Sequence, residues 1–350
     1  MHIESRPDAL FPELLSAEST ANAVSTRADG SVFYDSHVSV LVPGLNEAAN
    51  LRVMLPTLML LLNRTCRNWE VVVVDDGSTD DTAQLMAEWT TVPGFRYLQL
   101  SRNFGKEAAI SAGLDSCDGD VVICMDADMQ HPPALIPDML ARWKAGSDMV
   151  YAVRENRDDE TWFKRQGAKW FYRLVSGGQR VDVPAHAGDF RLMDRKVVNA
   201  LNALPERTRF MKGLYAWVGF KTEAFPYTPA ERIHGESKFT PVKLIKLAMS
   251  GVTAFTTWPL RMLSLVGFMF ALVSFGYGAY LVAEYFEYGH QVDGWTTIVC
   301  ALLFFAGINM VSLGVVGEYV GRIFDEVKGR PLYVVRDRLG RAARTEPSAE

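Results

Sequence analysis

Two stretches in the second half of the chain carry no charged residue over the length of a membrane-spanning helix. Met262 to Ala283 reads MLSLVGFMFALVSFGYGAYLVA, and Gly294 to Gly317 reads GWTTIVCALLFFAGINMVSLGVVG. A helix crossing the hydrocarbon core needs about 20 apolar residues, whereas a soluble helix of that length ordinarily keeps a polar face. Neither stretch has one. Small residues recur in both (Gly267, Gly276 and Gly278; Gly307, Gly314 and Gly317), as close helix packing in lipid favours. The two stretches explain how a chain with 22% charged residues reaches 49% hydrophobic.

Their flanks give an orientation. Arg261 precedes the first stretch, and Arg322, Lys328, Arg330, Arg336 and Arg338 follow the second, while the connecting EYFEYGHQVD holds no lysine or arginine. Positive charge stays cytoplasmic, so two spans are expected, with both termini inside and the short loop outside. Trp258 and Trp295 stand where interfacial aromatics belong. Residues 240–259, with Lys243 and Lys246 beside Leu244, Ile245 and Leu247, are expected to lie on the membrane surface.

A net charge of −5 gives no electrostatic footprint for nucleic acid. Cys66, Cys117, Cys124 and Cys300 form no CxxC pair, which fits a reducing compartment and argues against a cysteine zinc site. The segment MHIESRPDALF has acidic residues and no apolar run, so it does not read as a signal peptide. The expected organisation is a polar leader over 1–36, a catalytic domain over 37–239, an interfacial region over 240–259, a two-helix membrane domain over 260–321 and a basic cytoplasmic tail over 322–350.

Within 37–239, β-rich runs alternate with helical patterns. Strands are predicted at His37–Pro43, Trp69–Asp75, Phe95–Leu100, Asp120–Met125 and Asp148–Val153, with helices such as Glu47–Asn63 and Thr79–Thr90 between them. Continuous apolar runs such as VVVV indicate strands buried on both faces of a mostly parallel sheet. The predicted class is therefore α/β with helices on both faces, and ligands in such folds sit beyond the carboxyl ends of the strands.

Polar residues collect at those ends: Pro43-Gly44-Leu45-Asn46-Glu47, then Asp75-Asp76-Gly77-Ser78-Thr79-Asp80-Asp81, then Asp126-Ala127-Asp128-Met129-Gln130. No GxGxxG or GxxxxGK[ST] fingerprint follows any of them, so dinucleotide and P-loop readings have no motif. Helix capping by Ser78 or Thr79, with Asp80 and Asp81 at the positive helix end, accounts for half of the acidic segment. It leaves Asp75 and Asp76 unexplained at the mouth of the sheet, where a carboxylate can accept from a base or ribose. Asp126 and Asp128, one residue apart after a buried strand, can converge on a hard cation that keeps positions for diphosphate oxygens, and Gln130 can add a neutral oxygen. His131 and His186 lack a second histidine or paired carboxylate at ligand spacing and read as loop residues. His234 lies beside a GESK turn.

Taken in order, PGLNEAANL, VVVVDDGSTDDT, SRNFGKEAAISAGLD, MDADMQHPP, GDFRLMDR and HGESKF resemble the family 2 glycosyltransferases. Within them the chain is similar to the polyprenyl-phosphate branch of bactoprenol glucosyltransferases and dolichyl-phosphate mannose synthases, over roughly residues 37–325. The resemblance implies a GT-A fold. It implies a donor site of Pro43, Leu45, Asn46, Glu47, Asp76, Asn103, Lys106, Asp126 and Ala127, and a Mg2+ or Mn2+ ion on Asp126, Asp128 and Gln130. It also implies a lipid-phosphate site of Arg154, Arg165 and Lys238. Asp189 falls where relatives that accept on hydroxyl groups have a catalytic base, and it joins Asp126, Asp128 and Arg154 as a catalytic candidate. The QxxRW motif of processive synthases is missing, and the corresponding region reads Arg209-Phe210-Met211-Lys212-Gly213. The implied reaction is inverting transfer of one sugar, first choice glucose from UDP-glucose, to undecaprenyl or another polyprenyl phosphate at the cytoplasmic face of a bacterial inner membrane. Other donors (GDP-mannose, UDP-galactose, UDP-N-acetylhexosamines), a non-polyprenyl acceptor, a non-catalytic membrane adaptor and a homo-oligomer all stay open at this point.

Overall fold

The computed structural model describes residues 24–26, 32–154, 188–207, 209–227, 258–288 and 294–340. They fall into two compact units, one holding a sheet with its helices and the other a pair of long helices.

The first unit contains β1 (Val24–Thr26), β2 (Val32–Gly44), α1 (Ala48–Thr65), β3 (Cys66–Asp75), α2 (Thr82–Trp89), β4 (Phe95–Leu100), α3 (Lys106–Ser116) and β5 (Val121–Cys124). It continues with a 3-10 turn at Pro133–Leu135, α4 (Ile136–Lys144), β6 (Met149–Arg154), β7 (Arg191–Asp194), α5 (Arg195–Asn202), α6 (Met211–Trp217) and β8 (Thr222–Tyr227). The sheet order is β8-β6-β7-β5-β2-β3-β4-β9, with β1 beside the start of β2 and β9 (Val335–Leu339) arriving from far along the chain.

Alternate residues of the central strands go to opposite faces. Val38, Val40 and Val42 of β2 join a buried cluster with Leu51, Met54, Leu55 and Leu58 of α1, Met86 of α2 and Met139 of α4. Leu41, of the opposite parity, lies against α3. There a Cβ on Gly113 would come within 2.0 Å of Leu41 Cδ1, so only glycine allows the helix this close to the strand. Burial on both sides explains the unbroken apolar runs.

The sheet is mixed, which corrects the expectation of a mostly parallel one. β2–β3, β2–β5, β3–β4 and β6–β8 are parallel, whereas β1–β2, β5–β7, β6–β7 and β4–β9 are antiparallel. The reversal at β7 matters for chemistry. Because β7 runs against β5, its first residue Arg191 pairs with Cys124 at the end of β5. The residues just before β7 therefore lie at the carboxyl end of the parallel strands.

β9 lies inside the segment expected to be a basic tail. It pairs with β4, Ser101 N donates to Val334 O at 2.8 Å, and the Tyr333 hydroxyl donates to Asp115 Oδ2 at 2.7 Å. Gly340, at φ +84, closes the strand so tightly that a Cβ would stand 2.2 Å from Phe95 O. Arg336, Asp337 and Arg338 give this edge the charges that deter pairing with another sheet.

The second unit contains α7 (Trp258–Tyr288) and α8 (Trp295–Val327). The Phe270 ring of α7 meets Phe304 and Phe305 of α8, with centroids 5.9 and 6.0 Å apart. Among the described residues one stretch, Phe304–Val327, is long and apolar enough to cross a membrane. Both helices expose large apolar side chains, including Phe268, Met269 and Leu272 on one and Met310, Val311 and Leu313 on the other. A soluble surface rarely carries so much contiguous apolar area.

Candidate active site

The loops after β2 and β3 are tied together by Asn46. Its backbone sits at φ 58, its Oδ1 accepts from Thr79 N at 2.8 Å, and its N–H donates to Ser78 Oγ at 2.8 Å. Asp80 serves both following helices, accepting from Ala48 N at 3.1 Å and from Thr82 N and Oγ1 at 3.1 and 2.6 Å. Neither Ser78 nor Thr79 caps α2: its N-cap position is Asp81, which makes no side-chain capping bond, and Asp80 instead engages the first helical residue, Thr82. Glu47 accepts from Asn50 Nδ2 at 2.5 Å; Pro43 is buried and Leu45 half-buried beside it.

Asp75 and Asp76 have protein partners. Asp75 is buried and accepts from the Tyr97 hydroxyl at 2.6 Å and Ser78 N at 2.7 Å. Asp76, 4% exposed, accepts from Phe104 N at 2.7 Å on one oxygen and from Gly105 N at 2.9 Å on the other. Burial pushes the Asp76 carboxyl up, against the downward pull of those two N–H groups. Gly77, at φ +74, lies over the same loop, where a Cβ would be 2.6 Å from the Arg102 carbonyl carbon. Asp76 thereby fixes the backbone of the RNFGK segment, which holds exposed Asn103 and delivers Lys106 at the first turn of α3.

Lys106 is the centre of the site. Its Nζ lies 2.7 Å from Asp126 Oδ1, just past β5, and 2.6 Å from Asp189 Oδ2, just before β7. Burial alone would lower its pKa, but the two carboxylates outweigh burial and hold the ammonium above the ordinary lysine value. Burial would raise Asp189, yet Lys106 first and then Lys212 keep it below the usual carboxylate range. Asp128 and Gln130 follow on the same turn, where Gln130 N donates to Asp128 Oδ1 at 3.2 Å and Met129 takes φ 57. Ala127 is buried between the two acids.

Three further residues surround this centre. Glu107 accepts weakly from Met211 N at 3.4 Å; burial and then the charge of Asp189 push its carboxyl up to about 7. Arg191 is 2% exposed, donates to Gly188 O at 3.1 Å and stacks 3.6 Å over the Tyr215 ring. Burial lowers its pKa. Lys212 brings positive charge to both Glu107 and Asp189. The sequence reading did not assign these three. The arginine inside the apolar GDFRLM strand was a usable signal; Glu107 and Lys212 offered none. His131 stacks on Phe190 with centroids 5.0 Å apart.

Arg154 is the last residue of β6, three positions beyond Tyr151, which pairs with Arg191; its backbone therefore stands at the same end of the sheet. Arg165, His186, His234, Lys238 and the 240–257 part of the interfacial region lie outside the described residues.

The match to known proteins follows the same layout. Residues 39–201 match the model of glycosyl transferase family 2, and residues 258–323 match the GtrB C-terminal hairpin. A bactoprenol glucosyl transferase of Shigella phage SfII is 40% identical over 300 residues, covering 85% of this chain and 97% of that protein. The chain is a family 2 glycosyltransferase. An uncharacterized glycosyltransferase of Synechocystis is 42% identical over 304 residues, covering 87% of this chain and 96% of the relative. Among solved structures, glucosyl-3-phosphoglycerate synthase of Mycobacterium tuberculosis is similar with a TM-score of 0.44 at 19% identity. That match covers 62% of this glycosyltransferase and 78% of the synthase. At that distance it adds nothing to the architecture read from the strands themselves.

Proposed function

We propose that this glycosyltransferase has a GT-A catalytic domain and moves one sugar, glucose from UDP-glucose as first choice, to undecaprenyl or a related polyprenyl phosphate. The observation that carries the reading is the meeting of Lys106, Asp126 and Asp189 at the carboxyl end of the sheet, on a chain whose relatives are named bactoprenol glucosyl transferases. Other nucleotide-sugars stay open as donors.

The acid turn suits a small divalent ion. Among the described residues no three His, Cys, Asp or Glu side chains are grouped to hold a metal unaided. Mg2+ and Mn2+ sites built with substrate phosphates need only one or two protein carboxylates, and Asp126 and Asp128, with Gln130, offer that set. When bound, the ion would act as a Lewis acid toward the leaving diphosphate. The chain's own residues do the rest. The Asp76-anchored loop holds Lys106 where its ammonium can face developing negative charge. Asp189 orients that ammonium. The acceptor phosphate, with a second pKa of about 6, is already an anion near neutral pH, so it needs positioning more than a general base. Arg154, Arg165 and Lys238 are assigned to that task as phosphate partners.

The membrane reading has support in connectivity. β8 precedes the long helices and β9 follows them, yet both belong to one sheet. A chain that leaves a domain and returns to it crosses a membrane an even number of times. If Phe304–Val327 crosses, a second crossing is needed, which we assign to α7, and the lysine and arginine bias favours a catalytic domain inside. This favours two spans and a cytoplasmic active site.

The test is lipid-dependent release of nucleoside diphosphate from a panel of UDP- and GDP-sugars, using purified full-length enzyme with Mn2+. Release from one UDP-sugar that rises on adding undecaprenyl phosphate supports the proposal. Equal release with and without the lipid counts against a polyprenyl-phosphate acceptor.

A further inference from the structure

We infer that Lys106 is a latch on the metal site: its ammonium holds Asp126 until donor diphosphate draws it away, so that divalent ion and donor load together. The inference rests on the metal assignment just proposed and adds an order of events to it.

The contacts define the competition. Asp126 is the first acid of the Asp-Ala-Asp turn, and its Oδ1 lies 2.7 Å from Lys106 Nζ. The same nitrogen is 2.6 Å from Asp189 Oδ2, so one monovalent cation is shared by two carboxylates, one just past β5 and one just before β7. A divalent ion ligated by Asp126 would stand close to that ammonium, and the two cations would repel each other. The ion alone therefore has to compete with an ammonium already paired to that acid. A diphosphate changes this, because its oxygens supply both metal ligands and a new partner for the lysine.

The surroundings let the side chain move while its backbone stays. Asp76 grips the two N–H groups just ahead of Lys106, through Phe104 and Gly105. The lysine side chain itself is 45% exposed. A flexible four-carbon stem can thus swing from Asp126 toward a bound diphosphate while Asp189 remains within reach. The expected result is positive coupling, in which UDP tightens metal binding and the metal tightens UDP binding by the same factor.

The experiment measures Mn2+ binding to the full-length enzyme in detergent from the EPR signal of the free ion, with and without UDP. Wild type should bind Mn2+ weakly alone and more tightly with UDP. In Lys106→Gln the two acids lose their cation, so Mn2+ alone should bind roughly tenfold more tightly and the gain from UDP should shrink. Mn2+ alone should then raise the melting temperature of Lys106→Gln but not of wild type. Lys106→Arg keeps the charge and should bind Mn2+ alone no better than wild type; it carries the test if the glutamine variant does not fold. Mn2+ affinity in Lys106→Gln equal to wild type, with UDP still strengthening wild type, overturns the latch alone. Tightening in the arginine variant overturns it too. Absence of Mn2+ binding to wild type even with UDP overturns the metal assignment and the latch together.

Discussion

Asp76 offers a case in which two roles, contact with donor and support of a loop, give different numbers. Both of its oxygens are already engaged, at 2.7 Å by Phe104 N and at 2.9 Å by Gly105 N, and the side chain is 4% exposed. Asp76→Ala leaves two backbone donors without their acceptor. An orphaned buried donor costs about 1–3 kcal/mol; water reaching the shortened side chain recovers part of that, and a total of about 2–4 kcal/mol is expected. For a domain of this size, that corresponds to a fall in melting temperature on the order of 5–10 °C. Asp76→Asn keeps one acceptor and turns an NH2 toward the other N–H, so it should fall between wild type and alanine. The assay is thermal unfolding of the full-length protein in detergent without nucleotide, followed by UDP titration at a temperature where all variants are folded. A supporting carboxylate gives graded melting temperatures in the order wild type, asparagine, alanine. Unchanged melting temperatures with UDP binding lost would refute the reasoning and return Asp76 to a purely donor-contacting role.

Glu107 should make stability depend on pH. Its carboxyl is raised from 4.5 to about 7 in the fold, so the folded state holds a proton that the unfolded chain has released. Its stabilising contribution is full below about pH 4.5 and is lost as pH rises through about 7. Melting curves of Glu107→Gln should lose that slope between pH 5 and 8, by an amount on the order of 2 kcal/mol; an unchanged slope would assign it elsewhere. Gly340→Val combines a strained positive φ with a backbone clash against Phe95 O. It should cost about 2–4 kcal/mol, and a wild-type melting temperature would mean that β9 contributes little to the sheet. EDTA should abolish turnover and either Mg2+ or Mn2+ restore it; undiminished turnover in EDTA would remove the ion from the reaction.

The parts of the fold that could be read from sequence are those where burial is two-sided. β2, β3, β5 and β6 carry mainly apolar runs, β4 interrupts its own with Arg96 and Gln99, and the positions of all five agree with expectation to within a few residues except at the start of β2, which begins earlier. β7, β8 and β9 were missed for separate reasons. β7 is four residues long and hemmed by charges, β8 contains Pro226, and β9 carries the arginines that an exposed edge tolerates. The residues of the acid turn and the RNFGK loop were legible because each ends a readable strand or opens a readable helix. Their mutual contacts were not. Lys106 and Asp189 are 83 positions apart, and they meet only because β7 runs against β5, a reversal that no local pattern announces. The protein partners of Asp75 and Asp76, Tyr97 and the Phe104–Gly105 amides, likewise come from the neighbouring strand and its loop, where no local pattern shows them.

Transfer of label from a nucleotide-sugar into undecaprenyl phosphate tests the central claim most directly, with purified full-length enzyme, Mn2+ and extraction of the lipid phase. The account expects one labelled sugar per lipid phosphate, lost in Asp128→Ala and in Lys106→Gln. Label absent from the lipid with every donor, in protein that is folded and binds UDP, would contradict it.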